Sequence, residues 1–119
     1  MGKYRELKVW VKGKDLAVWI YQMTDQGKFA RDFGLRDQIR RAAVSIPSNI
    51  AEGDELHTNA QAVRHFYIAR GSAAEVVTQS IIALEIGYIS LAQHQYIEQE
   101  CNAIARMLNR LIQTRQPST

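Results

Sequence analysis

Between Leu35 and Gly53 the residues Leu35, Ile39, Ala42, Ile46, Ile50 and Gly53 recur at steps of three and four. That spacing places them on one side of an α-helix, with Arg36, Arg40 and Arg41 projecting to its flanks. The apolar side must be buried, so the stretch reads as the second helix of a bundle. Pro47 cannot donate a hydrogen bond to the carbonyl of Ala43, which predicts a bend or loosening near Ser45 to Ser48. Gly53 is the expected left-handed residue that ends the helix.

The rest of the chain offers similar material. Only two prolines and seven glycines interrupt 119 residues, and the runs between them are rich in Ala, Leu, Ile, Gln, Glu and Arg. This composition favours helix over strand, and the length has room for one domain spanning residues 1–119. The expected fold is all-α, an antiparallel up-down-up-down four-helix bundle. The lone Cys101 excludes an internal disulfide. No apolar run is long enough to span a membrane, and Lys3, Arg5, Glu6 and Lys8 interrupt any signal-peptide core. A cytoplasmic protein with no membrane partner is expected.

Helix 1 is predicted from Tyr4 or Arg5 to Thr24 or Asp25. It carries two apolar faces, Leu7, Trp10, Val11, Ala17, Val18 and Tyr21 on one, Val9, Leu16, Ile20 and Met23 nearly opposite. A monomeric bundle needs one such face, so either helix 1 is a bulky aromatic helix with some apolar surface, or, the favoured reading, Val9, Leu16, Ile20 and Met23 are assigned to a contact with another subunit. Gly13 lies inside this helix at a cost of about 1 kcal/mol relative to Ala, which either a close neighbour or a suboptimal site explains. Residues 26–34 form the first connection, with Phe29 and Phe33 capping the bundle, and Asp54 to Thr58 the second. Thr58 or Asn59 caps helix 3.

Helix 3 is predicted from Ala60 to Glu85 or Ile86, with Phe66, Ala69, Ala73, Val76, Val77, Ser80, Ile81 and Leu84 buried. Its small midpoint, Ala69 to Ala74, suggests a tight crossing in which Gly71 touches helix 2 near Ala42 and Ser45. Replacing Gly71 with Leu should then cost about 1 to 3 kcal/mol. The same register sets Glu75 beside Arg36, Arg40 or Arg41 as an ion pair. Gly87 to Ser90 make the third turn. In helix 4, from Ala92 to Arg115, the residues Ile97, Cys101, Ile104, Leu108 and Leu111 form a coiled-coil-like seam, which makes Cys101 a small core residue. Gln116 to Thr119 should fray.

Chemistry-bearing motifs are scarce. His57, His65 and His94 are scattered; the nearest approach to a metal motif is Asp54-Glu55-Leu56-His57, a single Asp-x-x-His. No phosphate-cradling glycine loop, nucleophile elbow or cysteine-metal spacing occurs, so neither a cofactor nor enzymatic activity is expected. Positive charge gathers instead near helix ends. If helix 1 begins where helix 4 ends, Lys3, Arg5, Lys8, Lys12, Arg106, Arg110 and Arg115 share one pole, together with Glu52, Asp54 and Glu55. In one subunit this is a mixed surface whose arginines complement a helix dipole; repeated in a ring of subunits it becomes a surface for a polyanion.

Three segments carry a resemblance: Tyr4-Arg5-Glu6-Leu7-Lys8-Val9-Trp10, the run from Gln38 through Arg40, Arg41, Asn49 and Glu52 to Gly53, and Ile68-Ala69-Arg70-Gly71-Ser72-Ala73-Ala74-Glu75. With them the chain resembles the bacterial four-helix bundle family of proteins encoded in intervening sequences of 23S ribosomal RNA genes. The resemblance implies a closed bundle, a homo-oligomer in the form of a pentameric ring, no known enzymatic activity, and structural roles for Arg40, Arg41, Asn49, Glu52, Gly53, Gly71, Ser72 and Glu75. The Asp54 to Asn59 turn departs from the family in lacking basic residues. Two functions are therefore expected in order: an oligomeric bundle binding RNA or single-stranded DNA through clustered Arg and Lys, and a scaffold binding a partner protein.

Overall fold

The computed structural model describes residues 3–56 and 58–116. Four helices, α1 (Lys8–Met23), α2 (Phe33–Glu55), α3 (Asn59–Glu85) and α4 (Leu91–Arg115), pack as a bundle, with short 3₁₀ turns at Tyr4–Glu6 and Phe29–Arg31. The expected four-helix architecture is therefore present. His57 and Pro117 to Thr119 lie outside the described residues, and with them the expected Asp-x-x-His and most of the expected frayed end.

Local chemistry sets the boundaries. Asp32 caps α2 by accepting from the Leu35 amide at 3.1 Å, and Thr58 caps α3 by accepting from Gln61 at 3.2 Å. Ser90 and Gln93 form a reciprocal capping box at the start of α4. The α3 C-terminus closes on Gly87, whose φ of 82° lets the Tyr88 amide donate to Ala83 and the Gly87 amide to Leu84. Helix α1 starts later than predicted, because Leu7 is extended and separates it from the 3₁₀ turn.

Helix α2 runs on through both the proline expected to bend it and the glycine expected to end it. It is continuous through Pro47, whose buried ring faces α1. It also continues through Gly53, which is not left-handed; among the described glycines only Gly27 and Gly87 have positive φ. Gly53 serves close approach instead: a Cβ there would lie 2.8 Å from Cε1 of Phe66 and 3.1 Å from the Ala62 carbonyl oxygen. Gly13 has the same explanation on α1, where a Cβ would come within 3.0 Å of Ile46 Cγ2.

The core runs the length of the bundle through Leu16, Ile20, Phe29, Ile39, Ile46, Ile50, Phe66, Val76, Ile97, Ile104 and Leu108, all at most 1% exposed. Burying each of the larger side chains stabilises the fold by roughly 1.5 to 3 kcal/mol. The helix 4 seam is seated in it as expected, except that Ile112 takes the buried place and Leu111 is half-buried. Phe29 is buried but Phe33 is exposed, so only one of the two caps the bundle.

Three expectations about packing are corrected. Val9, Leu16, Ile20 and Met23, assigned to a subunit contact, lie in the core of this chain, and the outward side of α1 carries Val11, Val18 and Tyr21. Gly71 is exposed with open space where a Cβ would sit; the small residue facing α2 is its neighbour Ser72, whose hydroxyl donates to Ser45 Oγ at 2.8 Å. On α3, Ile81 is 38% exposed, while Ala62, Val63, Ser72, Gln79 and Ala83 are buried.

Candidate nucleic-acid interface

The polar side chains of the α2 stretch hold helices together. Arg40 reaches to the end of α1, where Nε donates to Thr24 Oγ1 at 2.8 Å and Nη2 to the Tyr21 carbonyl at 3.3 Å, with the guanidinium over the Tyr21 ring at 4.5 Å. Asn49 donates to the carbonyl and hydroxyl of Ser45 and meets His65 Nδ1 at 2.9 Å; Glu52 lies 3.8 Å from the same nitrogen. Gln79 donates to Gln38 at 3.4 Å, leaving its own buried carbonyl oxygen without a protein partner. The expected Glu75 ion pair is not formed. Glu75 and Arg41 line a shallow groove of about 350 Å³ with Gln38, Ser45 and Ser72, and Glu75 has no ion pair among the described residues. Arg36 donates to the Ala30 carbonyl at 3.0 Å and pairs with its neighbour Asp37.

The seven basic residues proposed from sequence divide into two groups. Lys12 pairs with Glu100 across α1 and α4 at 3.1 Å, and Arg115 pairs with Asp54 at 3.3 Å while lying over the Phe66 ring. These two are engaged within the chain. Lys3, Arg5, Lys8, Arg106 and Arg110 are exposed and in no ion pair among the described residues. Their surroundings differ. Lys8 and Lys12 share a groove with Glu6, Asp15 and Glu100, so the α1 cations stand among carboxylates. Arg106 and Arg110 lie one helical turn apart, and no acid follows Glu100 in the chain.

Residues 5–110 match the family described as 23S rRNA-intervening sequence protein. The chain belongs to that family. A similar solved structure is that of a protein with unknown function from the S23 ribosomal protein family of Bacteroides thetaiotaomicron. It is 25% identical, with a TM-score of 0.81 over 88% of this chain and 98% of the other. No curated protein matches the chain.

In this member of the 23S rRNA-intervening sequence family, sequence reading missed one cation and one hydrogen-bonded cluster. Arg70 of α3 donates to Asn109 of α4 at 2.8 Å and stacks 4.7 Å from the Tyr67 ring centre. The signal for it was an exposed aromatic three residues before an arginine, on the same side of a helix. The cluster is Ser80–His94–Glu98: Ser80 Oγ lies 2.8 Å from Nδ1 of His94, and Nε2 lies 3.1 Å from Glu98. Its order resembles a nucleophile, base and orienting acid. Ser80 is fully buried, however, and also donates to the Val77 carbonyl, so the cluster clasps the end of α3 to the start of α4. Cys101 is 2% exposed, and burial pushes its thiol up to about 12, as fits a core residue. Among the described residues no three His, Cys, Asp or Glu side chains converge on a metal-binding point, and no helix is long and apolar enough to cross a membrane.

Proposed function

We propose that the protein is a non-enzymatic, cytoplasmic, oligomeric bundle that binds RNA, with the outer face of α4 as its principal contact. The observation that carries this reading is the pair Arg106 and Arg110, exposed, in no ion pair among the described residues, and with no acid within a turn of either along α4. Guanidinium groups in that condition gain a phosphate partner without first breaking an internal one. The S23 ribosomal family description of the Bacteroides relative supports an RNA context. Lys12 and Arg115 drop out of the contact set, since each is held by a carboxylate.

Antiparallel up-down-up-down packing is part of the proposal. It is supported by the pairs Gln38–Gln79, Ser45–Ser72 and Asn49–His65, which advance along α2 as they retreat along α3, and by Lys12–Glu100 and Trp19–Tyr96 between α1 and α4. Assembly into a ring, pentameric by resemblance, is supported by Ile68, Ile82 and Ile86. These stand 43 to 52% exposed on one side of α3. Titrating a structured RNA at low and high salt tests the function. Binding that weakens steeply with salt is expected; no binding at low salt would leave a scaffold for a partner protein as the better account.

A further inference from the structure

A groove of about 300 Å³ runs between α3 and α4, with no carboxylate in its lining. We propose that it receives an unpaired base of single-stranded RNA, an inference that rests on the RNA-binding reading and gives it a place and a chemistry. Its floor is open because Gly71 and Ala105 bring no bulk, and a Cβ on Gly71 would meet nothing within 4 Å. One wall is Tyr67, 40% exposed, whose ring is held by the Arg70 guanidinium at 4.7 Å. Arg70 is fixed in turn by Asn109 at 2.8 Å. The opposite wall offers the Asn102 amide, a donor and an acceptor suited to a base edge. Arg106 follows one turn after Asn102 on α4, where it can meet the adjoining phosphate.

A flat π-system fits these walls: aromatic rings stack any base, and arginine contributes both charge and a planar surface. The volume stands at the lower end for ligand clefts. Two further grooves among the described residues suit an anionic strand less well, one containing Glu75 and the other Glu6, Asp15 and Glu100. A duplex would keep its bases stacked and out of reach, so the groove selects single strands.

The test uses the full chain and a short single-stranded RNA carrying one 2-aminopurine, compared with the same sequence as a duplex. The parent should quench the 2-aminopurine on binding and prefer the single strand. Tyr67→Ala should lose the quench and bind roughly tenfold more weakly, as expected for one lost stack, with the dependence on salt unchanged because Tyr67 touches no phosphate. Gly71→Leu, which puts a side chain in open space and leaves the fold intact, should block the groove to a similar degree. Tyr67→Phe should retain binding. If Tyr67→Ala and Gly71→Leu bind and quench like the parent, or if the duplex binds better, the groove assignment is overturned while RNA binding elsewhere on the surface stands. If the parent binds neither RNA at low salt, both readings fall.

Discussion

Cys101 and Asp32 show how neighbours set the behaviour of single side chains. The Cys101 thiol, in the α4 seam and pushed up to about 12 by burial, holds almost no thiolate near neutral pH. A disulfide reagent should therefore leave it unmodified in the native protein and label it promptly in denaturant; rapid native labelling would show that the seam opens. Asp32 works the other way. The Leu35 amide, and after it the Tyr88 hydroxyl at 2.9 Å, hold its carboxyl below the ordinary range. Its stabilising contribution is thus present above the unfolded-state value and is lost as pH falls through the lower folded value. Asp32→Ala should melt below the parent at neutral pH, and the gap should close on acidification; thermal melts across that range measure it.

Among the helices, the glycines rank themselves by what surrounds them. Gly53→Ala drives a Cβ into Phe66 and the Ala62 carbonyl, and overpacking of that kind costs about 1 to 3 kcal/mol. Gly71→Ala meets nothing and gains up to about 1 kcal/mol of helix propensity. Denaturant melts of the two variants should move in opposite directions. The Gly71 reading failed for a physical reason: from Ala69 to Ala74 all residues but Arg70 are small, so no contrast in size marks which of Gly71 and Ser72 faces α2. Helix α1 misled similarly, since Trp10 and Tyr21 are amphipathic enough to resemble a core face. The α4 seam was legible but for its last step, where Ile112 rather than Leu111 is buried, and the α3 cap was read as Thr58 or Asn59, whereas the Ser90 cap of α4 was read only as part of a turn. Sequence brought Arg115 and Asp54 to one pole without pairing them, and it missed the Lys12 partner Glu100, 88 residues away in the chain; only the packed bundle decides which cations stay free.

For the whole molecule, the exposed isoleucines of α3 and the outward valines of α1 are more apolar surface than one bundle has use for. Light scattering should report several subunits, and Ile82→Lys should lower the mass while circular dichroism stays helical. A parent that is monomeric at micromolar concentration would remove the ring. The central claim, that α4 presents RNA with cations the fold has left free, is tested most directly by the slope of log affinity against log salt. Each phosphate contact contributes close to one unit of slope. The variant Arg106→Ala/Arg110→Ala should flatten the slope by about one to two units, whereas Lys12→Ala/Arg115→Ala should leave it near the parent's. An unchanged slope in the first variant, or a larger loss in the second, would contradict the account.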